Sequence, residues 1–185
     1  MPLRDTGPVT PADPQYPYVG KDIKDLTFAQ IRSLDCGSLT LPQFPGQLGS
    51  PGAKMPTLAE VFALADSYGA SQVRFNIETK MEAGAPERTS PREQFVTVAL
   101  REIKAAHMEH RVSIESFDWG ALRLVQQQDP RIPTVALTNK DFLQAGQPGK
   151  SPWLGGIDSD DFGGDAIAAA SYLGFDAISP VHGTP

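Results

Sequence analysis

The sequence predicts an α/β fold built on a parallel sheet, and three observations carry that prediction. Over residues 56–185, apolar residues at helical spacing alternate with short runs of period two, in the order helix, strand repeated four times. The helices open on capping residues, and several close on glycine, so chemistry as well as hydropathy marks the boundaries. No glycine fingerprint of the dinucleotide-binding kind follows any strand. That weakens the doubly wound open sheet and favours a barrel of the triosephosphate-isomerase type.

The elements follow in chain order. Residues 1 to 25 contain "GPVTPADPQYPYVGKD" and no helical period, which predicts an extended segment. Thr27-Phe28-Ala29-Gln30 has the form of a capping box, with Phe28, Ile31 and Leu34 on one face and Gly37 as the expected stop. The loop "LPQFPGQLGSPGAKMP" runs to Pro56. Thr57-Leu58-Ala59-Glu60 is a second capping box, and Leu58, Val61, Phe62 and Ala65 form the apolar face of a helix ended by Gly69. Val73, Phe75 and Ile77 then alternate with Arg74, Asn76 and Glu78, the period of a strand. Ser90-Pro91-Arg92-Glu93 predicts a capped helix with proline first, running to about His110. Arg111–Ser116 is the second strand. Asp118 caps a helix up to Asp129-Pro130, Ile132–Thr138 is the third strand, and a loose loop follows. Asp165 caps the helix Ala166–Leu173, Gly174 ends it, and Phe175–Pro180 is the fourth strand.

Composition excludes some functions. The chain has 185 residues, 40% hydrophobic and 21% charged, with a net charge of -6, which fits one globular domain and not a nucleic-acid surface that must neutralise phosphates. No apolar run approaches the length of a membrane span, and Met1-Pro2-Leu3-Arg4-Asp5 lacks the pattern of a signal peptide. Cys36 is the only cysteine, so no internal disulfide forms, and a small semi-buried apolar role is expected.

Ligands of parallel α/β sheets bind at the carboxyl ends of the strands. Glu78 and Lys80 fall there, two residues apart on one face at roughly 6 to 7 Å, with Asn76 on the same face. A carboxylate and an ammonium so placed suit a hard divalent cation and an anionic substrate oxygen. A strand-end salt bridge facing solvent is the plain alternative. A Schiff-base role for Lys80 ranks lowest, because Glu78 beside it favours the charged amine. His107 and His110, near a helix end, complement the helix dipole. Asp158, Asp160, Asp161 and Asp165 miss the spacing of a calcium loop, with Phe162 at the fifth position and Ala169 where a bidentate glutamate belongs. Trp153 is expected either to line the mouth of the sheet or to lie in a core or lid.

"NIETK" (Asn76–Lys80) resembles the Asn-Ile-Glu-x-Lys strand of the glycerophosphodiester phosphodiesterase family. "KDIKDLTFAQIRSLDCG" and "MPTLAEVFALA" before it, and "VSIESFDWGALRLVQQQDPRIPTVAL" after it, are similar to that family's segments in that family's order. The resemblance implies a triosephosphate-isomerase-type barrel with a small insertion, matched here by residues 1–55, with residues 56–185 carrying about four parallel strands. It implies hydrolysis of a glycerophosphodiester to glycerol 3-phosphate and an alcohol, with Ca or Mg as cofactor. Glu78 would be a metal ligand and Lys80 a phosphate contact. By their place past the carboxyl ends of strands, and not by the resemblance, His182, beyond the fourth strand, and Phe117, in "ESFD", are candidate substrate contacts, with a structural loop histidine and a core or lid aromatic as the plain alternatives.

The family's two catalytic histidines and its Glu-x-Asp pair have no counterpart among His107, His110 and His182 or elsewhere. A whole barrel needs about 250 residues. By this resemblance the chain holds strands three to six of eight, and it is expected to be part of a longer gene product and inactive alone. The alternative is a non-catalytic barrel remnant that binds an anionic ligand or a partner chain. The alcohol, the metal, the oligomeric state and the compartment, secreted or cytoplasmic, stay open.

Overall fold

A computed structural model describes residues 17–181. The chain divides into two compact units between Glu60 and Val61.

In the first unit, the helix α1 (Phe28–Ser33) begins at the expected capping box. The Thr27 amide donates to Gln30 Oε1 at 2.8 Å, and the Gln30 amide donates to Thr27 Oγ1 at 3.3 Å. Gly37 does not end this helix, which stops at Ser33 with Leu34 extended. Its glycine answers a different need: a Cβ there would lie 1.9 Å from the Ser50 carbonyl oxygen. The Ser50 amide donates to the Gly37 carbonyl at 2.8 Å, so two backbones approach where no side chain fits. Asp35 gathers the same loop, accepting from the Gly37, Ser38 and Gly52 amides and the Ser38 hydroxyl. The Ser38 hydroxyl, then the Gly52 amide, hold its carboxyl far below the usual range. Cys36 is exposed, not semi-buried.

The helix α2 (Leu58–Ser67) starts at the second capping box, where the Thr57 amide donates to Glu60 Oε2 at 2.7 Å and the Glu60 amide to Thr57 Oγ1 at 3.2 Å. The Thr57 amide is also the chief reason the Glu60 carboxyl lies below its ordinary value.

The second unit is a four-stranded parallel sheet in the order β1 (Phe75–Glu78), β2 (Val112–Ser116), β3 (Thr134–Thr138), β4 (Ala177–Pro180). Register pairs Glu78 with Glu115, Ser116 with Ala136 and Ala136 with Ile178. Between the strands run α3 (Arg92–Ala105), α4 (Trp119–Gln128), α5 (Lys140–Leu143) and α6 (Ala166–Tyr172). Among the described residues the sheet does not close, as a part of a triosephosphate-isomerase-type barrel would not.

One sheet face is covered. α4 packs on β2 and β3, α6 on β4, and Phe62 of α2 stands edge-on to Phe75 at 5.1 Å. Ile114 and Ala136 on that face are fully buried, as are Trp119, Leu122 and Val125 of α4. The Trp119 indole N–H donates to the Leu137 carbonyl at 2.8 Å, tying helix to sheet. Two caps stand as expected: Asp118 accepts from the Gly120 amide, and Asp165 from the Ile167 and Ala168 amides.

α3 departs from expectation at both ends. It begins at Arg92, and Pro91, not Ser90, holds the cap position, with no side-chain bond. The extended Pro91 carbonyl accepts the first helical bond, from the Phe95 amide at 3.0 Å. The helix ends at Ala105, not near His110, because His107 takes a left-handed φ of 55°. The His107 amide donates to Lys104 and the Met108 amide to Ile103, the paired bonds of a Schellman motif, with buried Met108 supplying its apolar contact. The long loop also holds more structure than expected: α5, and a tight turn at Ser159–Phe162. No helix among the described residues is long and apolar enough to cross a membrane.

Candidate functional site

The uncovered face of the sheet is polar at its β1–β2 end. Alternation along β1 puts Asn76, Glu78 and Lys80 on that face, and the register adds Ser113, Glu115 and Phe117 from β2 beside them. The Glu115 carbonyl accepts the Thr79 amide at 2.9 Å, so pairing extends past Glu78 and steadies the backbone that presents Lys80.

Lys80 Nζ donates to Glu78 Oε1 at 2.9 Å, with side chains 57% and 28% exposed. That is the salt bridge of the plain alternative, and it remains within reach of a solute. The ammonium also stands 5.8 Å from the centre of the Phe117 ring, within cation–π range. One strand deeper, the Asn76 amide nitrogen donates to Glu115 Oε2, while its oxygen accepts from Ser113 Oγ at 2.8 Å. Asn76 is thereby fixed at both ends, and Glu115 is engaged away from Lys80.

Behind Lys80 runs an aromatic wall. Phe117 meets Phe142 edge-on at 5.3 Å, and Phe142 stacks on Trp153 at 3.7 Å. The Ser151 hydroxyl donates to the Phe142 carbonyl at 2.6 Å, and the Trp119 amide to the Trp153 carbonyl at 2.8 Å. Phe142 had no sequence signal, since α5 is too short to show a period. Phe117 sits beneath Lys80 in this wall, and Trp153 is buried within it.

Asp118 is a structural carboxylate. Its side chain is 2% exposed; Oδ1 accepts the Gly120 amide at 2.9 Å, and Oδ2 accepts from Arg92 Nε at 2.7 Å. A cavity of about 600 Å³ lies beside it, lined in part by Met81, Glu82, Arg92 and Lys150, and neither Glu78 nor Lys80 borders it.

The remaining candidates do not converge. His107 and His110 lie before β2, at the amino end of the sheet. His182 lies outside the described residues. Asp158, Asp160 and Asp165 each accept a backbone amide, from Asp160, Gly146 and Ile167, as suits loop and helix caps and not a calcium loop.

Glu78 and Glu115 are adjacent hard oxygen donors, of a kind that suits calcium or magnesium. They are too few: among the described residues no three ligating side chains come together. These residues alone do not fit a complete metal site. Two carboxylates against one ammonium leave the patch with a net negative charge, to which a bound anion adds.

Residues 5–153 match the model of the "Glycerophosphoryl diester phosphodiesterase family". A glycerophosphodiester phosphodiesterase of Bacillus subtilis is 32% identical over 120 residues, covering 62% of this chain and 38% of that protein. A solved structure from Silicibacter pomeroyi, provisionally assigned as a glycerophosphoryl diester phosphodiesterase, superposes with a TM-score of 0.66 at 28% identity. It covers 84% of this chain and 50% of its own. A structure from Galdieria sulphuraria shares the fold, with a TM-score of 0.53 at 20% identity, covering 85% of this chain and 48% of its own. The chain thus spans half or less of the length of these relatives.

Proposed function

The chain belongs to the glycerophosphoryl diester phosphodiesterase family, and from that premise we propose that it carries part of a site that hydrolyses glycerophosphodiesters to glycerol 3-phosphate and an alcohol. One observation carries the proposal: Glu78 and Lys80 stand together, accessible, at the carboxyl end of β1 on the uncovered face. Lys80 holds a non-bridging oxygen of the phosphodiester, exchanging part of its bond to Glu78 for the substrate. Phe117 keeps the ammonium over the sheet by cation–π attraction. Ser113 and Asn76 hold Glu115 clear of the ammonium, so that no second carboxylate competes for it.

Glu78 offers one oxygen ligand toward a divalent ion, calcium or magnesium. The described residues do not supply the rest, and no step is assigned through the ion. They also place no histidine on this face to act as general acid or base. By themselves, therefore, they bind and do not hydrolyse. The same lack favours a second reading, a non-catalytic module that binds an anionic ligand at Lys80.

Calorimetric titration of the chain with glycerophosphocholine, in calcium or magnesium and in chelator, tests the site. A choline-release assay runs alongside. Lys80→Ala should weaken binding about tenfold, the equivalent of ~1.4 kcal/mol. Equal affinity in the wild type and Lys80→Ala overturns the site. Binding of inorganic phosphate as tight as the diester, without choline release, favours the non-catalytic reading.

A further inference from the structure

We propose that the cavity beside Asp118 is a second binding site, for a small zwitterion of the aminoalkyl phosphate class, with the phosphate at Arg92 and the ammonium at Glu82. At about 600 Å³ the cavity has the size of a small-molecule site. Its walls come from the connection between β1 and α3, the first turns of α3 and α4, and the loop around Ser151, all of which lie between strands of the described sheet.

The way Arg92 is held points to a ligand. Its Nε donates to Asp118 Oδ2 at 2.7 Å, and its guanidinium lies against the first turn of α4, where a Cβ on Gly120 would meet Arg92 Cζ at 2.7 Å. Glycine weakens a helix, and an ion pair to an arginine 38% exposed adds little stability. What the arrangement fixes is the direction of the guanidinium. Among the described residues its terminal nitrogens have no partner, and Arg92 borders the cavity. Two such nitrogens take a phosphate in a fork.

Three further features make this end of the cavity a seat for an anion. Thr89 borders it, and the Thr89 hydroxyl oxygen is buried without a hydrogen-bond partner among the described residues. Pro91 holds the cap position of the fourteen-residue α3 and makes no side-chain bond, so the first amides of that helix lack a side-chain acceptor. Lys150 adds a second cation, on a loop that buried Ser151 anchors to the Phe142 carbonyl at 2.6 Å.

The lining also carries acids. Glu82 is half-buried, and among the described residues its carboxylate accepts no hydrogen bond and meets no cation. Glu93, exposed in the first turn of α3, borders the cavity as well. With Asp118 engaged by Arg92, the cations Arg92 and Lys150 stand against the carboxylates of Glu82 and Glu93. That balance disfavours a simple anion and admits one that brings its own ammonium group.

Calorimetric titration of the full chain with phosphoethanolamine, inorganic phosphate and ethanolamine tests the site. Lys80→Ala is titrated in parallel, which separates this site from the proposed phosphodiester site. Phosphoethanolamine should bind at least about tenfold more tightly than phosphate or ethanolamine, equally in the wild type and in Lys80→Ala. Arg92→Lys keeps the charge and loses the fork, and should weaken phosphoethanolamine and phosphate alike, by about tenfold. Glu82→Gln should bring phosphoethanolamine down to the level of phosphate while the melting midpoint of the free chain stays unchanged. No binding of phosphoethanolamine up to about 10 mM, by heat or by a shift in melting midpoint, overturns the proposal. So does phosphate bound as tightly as phosphoethanolamine, or a preference that survives Glu82→Gln. Binding lost in Lys80→Ala overturns it too, because the ligand then sits at the end of β1.

Discussion

The two faces of the sheet carry neighbouring residues of the same strands and opposite chemistry. On the covered face, Ile114 and Ala136 are fully buried beneath α4; on the other, Asn76 bonds Glu115 and Lys80 bonds Glu78. A single residue step along β2, from Ile114 to Glu115, passes from complete burial to partial exposure. The contrast teaches that strand alternation separates burial from accessibility: one set of side chains holds the unit together, and its immediate neighbours stay within reach of solvent.

The strongest way to break that separation is at Ile114. It is fully buried, and Ile114→Ala removes its packing and leaves a cavity, at a cost of about 3 kcal/mol. The shift of the urea midpoint at constant slope measures it. Glu115→Ala, one residue on, should cost well under half as much. Equal costs at the two positions would mean that the polar face is itself part of the core.

A smaller effect is expected at Asp118, where the covered layer meets the loops. Asp118→Ala loses the cap on α4 and the partner of Arg92. Because Arg92 is 38% exposed, water can take it back, and the loss reduces mainly to the cap, about 1–2 kcal/mol. Asp118→Asn keeps the cap and removes the charge. If thermal denaturation shows Asn as destabilising as Ala, the ion pair, and not the cap, is what Asp118 provides.

Features set by near neighbours in sequence were legible from it. The capping residues Thr27, Thr57, Asp118 and Asp165 act within three positions of themselves, and each was read correctly. So was the shared face of Asn76, Glu78 and Lys80, which needs only the period of a strand. What depends on other strands was not legible. That Asn76 bridges Ser113 and Glu115, or that Phe142 stacks on Trp153, is fixed by register and loop closure. The end of α3 was misplaced for a local reason of another kind: His107 fills a left-handed position usually given to glycine. Gly37 was noticed for the wrong reason, since its neighbour Ser50 is distant in sequence.

The smallest effect on stability, and the finest probe of the comparison, is at Glu115. Glu115→Gln keeps an oxygen to accept from Asn76 and so preserves the Ser113–Asn76–Glu115 chain. Its melting midpoint should move by no more than ~0.5 kcal/mol permits, as for other exposed substitutions. The charge, however, is gone. Glu115 lies beside Glu78 across one strand spacing, and a unit charge about 7 Å from an anion at Lys80 contributes roughly 0.6–1.2 kcal/mol at an effective dielectric of about 40–80. Phosphodiester affinity should therefore rise about threefold to eightfold at low ionic strength, and the gain should shrink in about 1 M salt, where the screening length falls to ~3 Å. A gain that ignores salt would assign the effect to a rearranged Asn76, and no gain at all would place the bound anion away from Lys80.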